Sequence, residues 1–212
     1  MVKQQPFVIT VSREVGSGGH TLGRLLAEKL NVRFLDKQLI EALQKQFNLT
    51  ADAIENLKAQ KKSWLTDFLD RVSPAAPPQA FSVAPRYLQE FHQVTTDDIF
   101  RAEVEILKGF AEMGSCVVAG RSGFFVFKDH PNALHVLVIA SDDHRTKRIM
   151  AKQGLTEEQA RKVIADIDKA RENYIQRYAG VSRYDSRNYG LVLKADGHDE
   201  EALAGFVLDY IG

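Results

Sequence analysis

Gly16, Gly18 and Gly19 fall in the stretch SREVGSGGHT, residues 12–21, directly after an apolar, β-branched run of Phe7, Val8, Ile9 and Val11. Leu22, Leu25, Leu26 and Leu30 follow on one helical face, so the whole reads as strand, glycine-rich turn, helix. Glycines remove side chains where a backbone must wrap closely around something. A helix starting beside them would aim free N–H groups and a partial positive charge into the turn. A nucleotide phosphate is the anion that such a turn holds best. The phosphate-loop pattern G-x-x-x-x-G-K-[ST] is met only in part. With Gly16-Ser17-Gly18 at its Gly-x-Gly end, the lysine position falls on Gly19, and His20 and Thr21 follow. Thr21 keeps a hydroxyl where a magnesium ligand is expected, and Arg13 is the nearest cation to replace the lysine. The competing reading is a strand-to-helix turn that binds nothing.

Other residues with chemistry to offer are spread along the chain. Asp36 ends a short strand near Arg33 to Leu35, where open α/β sheets place ligand-facing groups, although a plain helix N-cap explains it equally well. Arg121 sits between Gly120 and Ser122-Gly123 after a short buried run, Cys116 to Ala119; it suits an anion, and a surface loop charge is the alternative. Asp168 and Arg171 are three residues apart on a helical pattern and share a face, as an ordinary surface ion pair also would. His20, beside the loop, is more often a polar helix-start residue than a base.

The elements that must carry these residues alternate along the chain. Helical spacing of Ile99, Ala102, Ile106, Leu107 and Phe110 follows Asp97 or Asp98 as cap and stops at Gly114. The run Ala133 to Ala140 is continuously apolar, as in a parallel strand covered on both faces, and Ser141 starts the next helix, with His144, Arg145, Lys147 and Arg148. The sequence TEEQ from Thr156 is a capping box opening a long helix whose stripe is Val163, Ile164, Ile167 and Tyr174. A last strand spans Gly190 to Ala195, and Asp199 caps a final helix with Leu203, Phe206, Val207 and Tyr210 inward. Five strand-helix alternations predict a doubly wound, parallel sheet. Four of six prolines lie between Ser73 and Pro85, so residues from about 44 to 97 look inserted between core elements.

Composition excludes several classes. The 28 basic and 28 acidic residues cancel, and no aromatic-basic interleaving appears, which argues against nucleic acid. The single cysteine, Cys116, rules out an internal disulfide and sits in an apolar run, as a structural thiol would. No secretory-type leader pattern opens the chain and no apolar run nears the roughly 20 residues of a membrane span, so no membrane partner and a cytoplasmic location are expected.

Taken in order, SREVGSGG, FLDKQLI, GRSGFFVFKDHPNALHVLVIAS and the D-x-x-R of Asp168 and Arg171 resemble the cytidylate kinase-like family, a branch of the P-loop nucleoside monophosphate kinases. The resemblance covers about residues 7 to 211. It implies a single P-loop NTPase-like domain over residues 1–212, a three-layer α/β/α fold on a five-stranded parallel sheet. A helical acceptor-binding insertion at 44–97 and a lid at 150–185 would complete it. It implies transfer of the ATP γ-phosphoryl, with Mg2+, to CMP or a related small phosphorylated acceptor. Ser12, Gly16, Ser17, Gly18, Gly19, His20 and Thr21 would line the donor phosphates, with Thr21 holding the metal. Asp36 would lie near the acceptor and Arg121 would grip its phosphate. Asp168 would lie near the acceptor sugar and Arg171 at the phosphates, while Arg145 and Arg148 would approach the donor nucleotide. Homodimer formation is compatible with this reading. The residue after the glycine-arginine pair, an aspartate in cytidylate kinases, is Ser122 here. Two alternatives remain open: a regulatory nucleotide-binding protein with a loop that lacks the lysine, and a structural protein in which the loop is vestigial.

Overall fold

The computed structural model describes residues 4–40 and 96–212. The expected insertion at 44–97 lies outside the described residues except for Thr96 and Asp97. The chain forms two compact units, one of Met1–Lys37 with Gly114–Gly212 and the other of Gln38–Met113. Of the second unit, the principal described element is helix α2, Thr96–Glu112, with Asp97 and Asp98 in its first turn. Its buried residues, among them Ala102, Ile106, Leu107 and Phe110, recur at helical spacing, whereas Ile99 is exposed.

The first unit holds a five-stranded, all-parallel sheet in the order β2-β3-β1-β4-β5. Its strands are β1 (Val8–Arg13), β2 (Arg33–Leu35), β3 (Cys116–Ala119), β4 (Ala133–Ile139) and β5 (Leu191–Lys194). Helix α1 (Gly19–Leu30) follows β1, and the short α3 (Gly123–Val126) follows β3. Helices α4 (Asp142–Gln153) and α5 (Glu157–Ala179) lie between β4 and β5, and α6 (Glu200–Ile211) follows β5. Strand β1 is central, with Val8 opposite Cys116 of β3 and Ala133 of β4. Because both faces of such a strand are covered, the inner strands need continuous apolar sequence, which VITV, CVVA and ALHVLVI supply.

One face of the sheet presents Ile9, Val11, Val117, Val136 and Val138 to Leu22, Leu26 and Ala27 of α1 and to Leu203, Ala204, Val207 and Ile211 of α6. Full burial of each such aliphatic side chain contributes about 1.5–3 kcal/mol. On the other face, Gly123 of α3 lies so close to Thr10 that a Cβ there would be 3.2 Å from Thr10 Cβ. Helices thus cover both faces. Phe206 and Tyr210, expected inward on α6, are 45% and 57% exposed, because Leu203 and Val207 take the sheet-facing positions. Ile167 of the predicted α5 stripe is also outside the core.

The helix starts follow the sequence signals closely. Ser141 accepts from the His144 N–H, Asp199 accepts from that of Ala202, and Thr156 and Gln159 form a complete capping box. Helix α1 differs: Gly18 caps it with no side chain at all, and the short α3 also lacks a side-chain cap bond from its Ser122. No helix among the described residues is long and apolar enough to cross a membrane.

Candidate active site

The glycine loop joins the end of β1 to α1. Glu14 N–H donates to the Val138 carbonyl at 3.0 Å, and the Ser17 N–H and hydroxyl both turn back to the Glu14 carbonyl, at 3.3 and 3.0 Å. Gly16 and Gly18 adopt left-handed φ values of 82° and 84°, which few residues with a side chain tolerate. A Cβ on Gly16 would also lie 2.8 Å from the Arg145 carbonyl oxygen, so the loop presses against the backbone of α4. The first helical bond of α1 runs from Leu22 N–H to the Gly18 carbonyl. The N–H groups of Gly19, His20 and Thr21 therefore have no partner within the helix and form a positive end with no side-chain cap.

Beneath the loop lies a charged knot centred on Asp168 of α5, which is only 7% exposed. Its oxygens accept from the Val15 N–H at 3.1 Å, from Arg145 Nη1 at 2.6 Å and from Arg183 Nη1 at 3.3 Å, with Arg171 Nη1 at 3.5 Å. Arg145 also meets Asp142 at 3.0 Å and Glu14 at 3.8 Å. Burial works against its charge, but Asp142, Glu14 and Asp168 together raise its pKa above the usual arginine value. Arg171 and Arg183 both donate to the Arg13 carbonyl, which ties α5 and the segment after it to the end of β1. Tyr189 closes the segment by donating to the Arg183 carbonyl at 2.7 Å, and burial pushes its phenol up to about 12.

Beside this knot opens a cavity of about 600 Å3 at the carboxyl ends of β1 and β3, a volume typical of small-molecule sites. It lies where the connections leaving β1 and β3 run in opposite directions along the sheet, the crevice in which open α/β folds bind ligands. Arg13, Lys37, Arg121, Arg171 and Arg183 line it, and Asp166 is the single carboxylate among the lining residues. Phe124, Ile167, Tyr174 and Ile175 give it an apolar wall. Arg121 lies 6.0 Å from the centre of the Tyr174 ring. Gly120, Arg121 and Ser122 hold consecutive positive φ values of 78°, 52° and 55°, the tight turn that brings Arg121 to the cavity. Burial, and then Arg171, Arg183 and Arg121, push Arg13 down to about 9, while Asp36 opposes the shift. Arg171 is lowered as well, by burial and then by Arg183. This concentration of positive charge is suited to an anionic ligand.

The sequence candidates thus separate. Ser12, Arg13, Arg121 and Arg171 line the cavity. Gly16, Ser17, Gly18, Gly19 and Thr21 build the loop and the first turn of α1. His20 points its Nε2 at Asp36 Oδ2, 3.1 Å away, so these two meet each other across the start of α1. Arg148 pairs with Glu200, whose Oε1 would lie 2.8 Å from a Cβ on Gly18, so that pair sits at the edge of the loop. Asp168 turns both its oxygens to the loop N–H of Val15 and to the arginines Arg145 and Arg183. Arg145 is held by three carboxylates, Glu14, Asp142 and Asp168, at 8% exposure. Sequence reasoning missed Arg183 and Lys37. For Lys37 a signal existed in its place just past the end of β2, whereas Arg183, in an irregular segment, carried none.

Comparison with known proteins bears on the fold and the family. No curated protein matches the sequence. A solved protein from Eubacterium ventriosum ATCC 27560 shares the fold with a TM-score of 0.67 at 23% identity, over 97% of this chain and 98% of that one. The shikimate kinase from Bacteroides thetaiotaomicron follows with a TM-score of 0.50 at 16% identity, over 97% and 98% of the two chains. At such identities the likeness establishes the P-loop kinase fold. The family model described as cytidylate kinase-like matches residues 8–196, from β1 to just past β5, and the chain belongs to that cytidylate kinase-like family.

Proposed function

We propose that this protein is a phosphotransferase of the nucleoside monophosphate kinase type, moving the γ-phosphoryl of ATP to CMP or a related small phosphorylated acceptor. The observation that carries the reading is the continuity of two anion-binding regions: an uncapped, glycine-started helix on one side and a five-cation cavity on the other, joined by Arg13. Phosphoryl transfer demands positioning and neutralisation of charge spread over phosphate oxygens more than covalent work. The left-handed glycines and the free N–H groups of α1 fit a donor phosphate chain, since no side chain occupies that end.

In this reading the N–H groups of Gly19, His20 and Thr21 hold the donor phosphates, and Arg13 supplies the positive charge that a loop lysine would bring. Arg121 and Arg171 grip the acceptor phosphate, which guanidinium groups can meet with paired hydrogen bonds. Asp168 orients Arg171 and Arg183 and fixes the loop through Val15. Thr21 offers its hydroxyl as a ligand to Mg2+, a cation that keeps several waters and binds through substrate phosphates, and whose charge would neutralise phosphate oxygens. No cluster of three acidic, histidine or cysteine ligands exists among the described residues, as that mode of binding allows. The region 150–185 would act as the lid, and exclusion of water would favour the acceptor over hydrolysis.

The test is phosphoryl transfer from ATP and Mg2+ to a panel of nucleoside monophosphates by wild type and Arg121→Ala. Turnover on one acceptor that Arg121→Ala reduces about hundredfold is expected, by analogy with loss of one preorganised donor. Absence of turnover on every acceptor would refute the assignment. A second reading, a regulatory nucleotide-binding protein, is favoured by one observation, the glycine at the lysine position; ATP binding without transfer would select it.

A further inference from the structure

The ladder between β1 and β3 stops short of the end of β1. Its last register pair is Val11 with Ala119, and the Gly120 N–H closes it on the Val11 carbonyl at 3.0 Å. From there the chain turns away through Gly120, Arg121 and Ser122, all with positive φ. Residues of a strand turn their N–H and C=O to alternate edges, so Arg13, two residues after Val11, presents its carbonyl to the edge that β3 has left. A partly buried carbonyl needs a donor, and here two guanidinium groups supply it, through Arg171 Nη1 at 3.3 Å and through Arg183 Nη2. Both side chains also reach Asp168 Oδ1, Arg183 at 3.3 Å and Arg171 at 3.5 Å.

The two arginines are not held alike. The Arg183 side chain is 5% exposed, its N–H donates to Glu172 at 3.1 Å, and its carbonyl accepts from the Tyr189 hydroxyl at 2.7 Å. Tyr189 in turn packs on Phe124, with ring centres 5.2 Å apart. The Arg171 side chain is 36% exposed, and its contacts with the carbonyl and with Asp168 are both longer than usual hydrogen bonds. Of these two residues lining the cavity, Arg171 is the one with freedom to turn to a ligand.

We infer that Arg183 is a positioning residue that acts through Arg171: it keeps a donor on the Arg13 carbonyl and on Asp168, so that Arg171 can leave both for an anion without stranding either. Without Arg183, Arg171 is the guanidinium left to that carbonyl, and each anion bound costs the carbonyl its donor. For the identity of the anion as a phosphate this rests on the phosphotransferase reading; the division of roles rests on the hydrogen bonds alone.

A double-variant cycle tests this: wild type, Arg171→Met, Arg183→Met and both, each titrated with inorganic phosphate by calorimetry after circular dichroism shows it folded. Each single substitution should weaken phosphate binding about tenfold or more, by losing a charge-assisted hydrogen bond or by stranding its acceptor. The double variant should bind within about threefold of Arg171→Met, because residues that share partners are not additive and Arg183 has nothing to release once Arg171 is gone. Additive losses would make Arg183 a second ligand group, and an Arg183→Met affinity equal to that of wild type would make its role purely structural. Either result overturns the inference, as does a wild type that binds no phosphate. A second measurement leaves Arg183 in place and so does not depend on how its variants fold. The carbon-13 resonance of the Arg13 carbonyl reports its donors, and saturating phosphate should shift it in wild type in the direction in which Arg171→Met alone shifts it. A resonance that phosphate leaves unmoved, or moves the opposite way, would sink the exchange. No turnover on any nucleoside monophosphate, with the cycle still non-additive, would instead condemn the phosphotransferase reading and leave the division of roles standing.

Discussion

Arg145 and Arg13 both flank the glycine loop and are both largely shielded from water, yet their surroundings are opposite in sign. Arg145 is enclosed by Asp142, Glu14 and Asp168, and its charge is favoured in spite of burial. Arg13 faces Arg171, Arg183 and Arg121, and its charge is held at a cost that brings it down to about 9. The first arrangement is self-sufficient. The second is left positive, and an anion would complete it. The difference teaches that an arginine near a phosphate loop is assigned by the carboxylates around it and not by its distance from the loop.

Removing the shared carboxylate should break the comparison most severely. Asp168→Ala strands Arg145 and Arg183 without their common partner, and loss of one member of a buried pair costs about 3–5 kcal/mol, to be read by urea denaturation. Arg13→Met should do the reverse to stability while cutting phosphoryl transfer about hundredfold. Below about pH 9 the native Arg13 is charged in both states and the fold bears the cost, so the neutral variant should melt higher at pH 7. Between about 9 and the ordinary arginine value the unfolded wild type binds more protons than the folded one, wild-type stability rises with pH, and the advantage of Arg13→Met should shrink. A variant that melts lower at pH 7 would contradict the sign. Glu200→Gln breaks the partly exposed pair with Arg148 and should change stability by about 0–1 kcal/mol. The smallest effect concerns Cys116, whose thiol burial pushes up to about 12. At pH 8 the folded protein should leave an aromatic disulfide reagent unreduced, while the unfolded chain reacts at once.

Much of this was legible in the sequence because it rests on local rules. The strands at 33–35 and 116–119, the capping box at Thr156 and the caps at Ser141 and Asp199 are written in neighbouring residues, and the structure matches them. What failed needed long-range information. Phe206 and Tyr210 looked inward because they are apolar and helically spaced, but the sheet offers α6 only the width that Leu203, Val207 and Ile211 fill. For Asp168 and Arg171 the alternative of an ordinary surface ion pair stayed open in the sequence, because the partners Val15 and Arg183 lie 153 and 15 residues away from the aspartate. The steric demand on Gly19 comes from across the loop, since a Cβ there would lie 2.5 Å from Arg13 Cβ.

The central position of β1 has a consequence for how the chain comes to be folded. Val8 pairs with Cys116 and Ala133, so the innermost strand precedes its first partner by more than a hundred residues. At synthesis rates of about 5–20 residues per second, the apolar segment VITV waits roughly 5–20 seconds after emerging before β3 can join it. Contacts so distant in sequence also slow folding in free solution, since loop closure must precede the pairing that rewards it. The strand that anchors the phosphate loop is thus made first and completed late, and during that interval it is the segment of the nascent chain most in need of shelter.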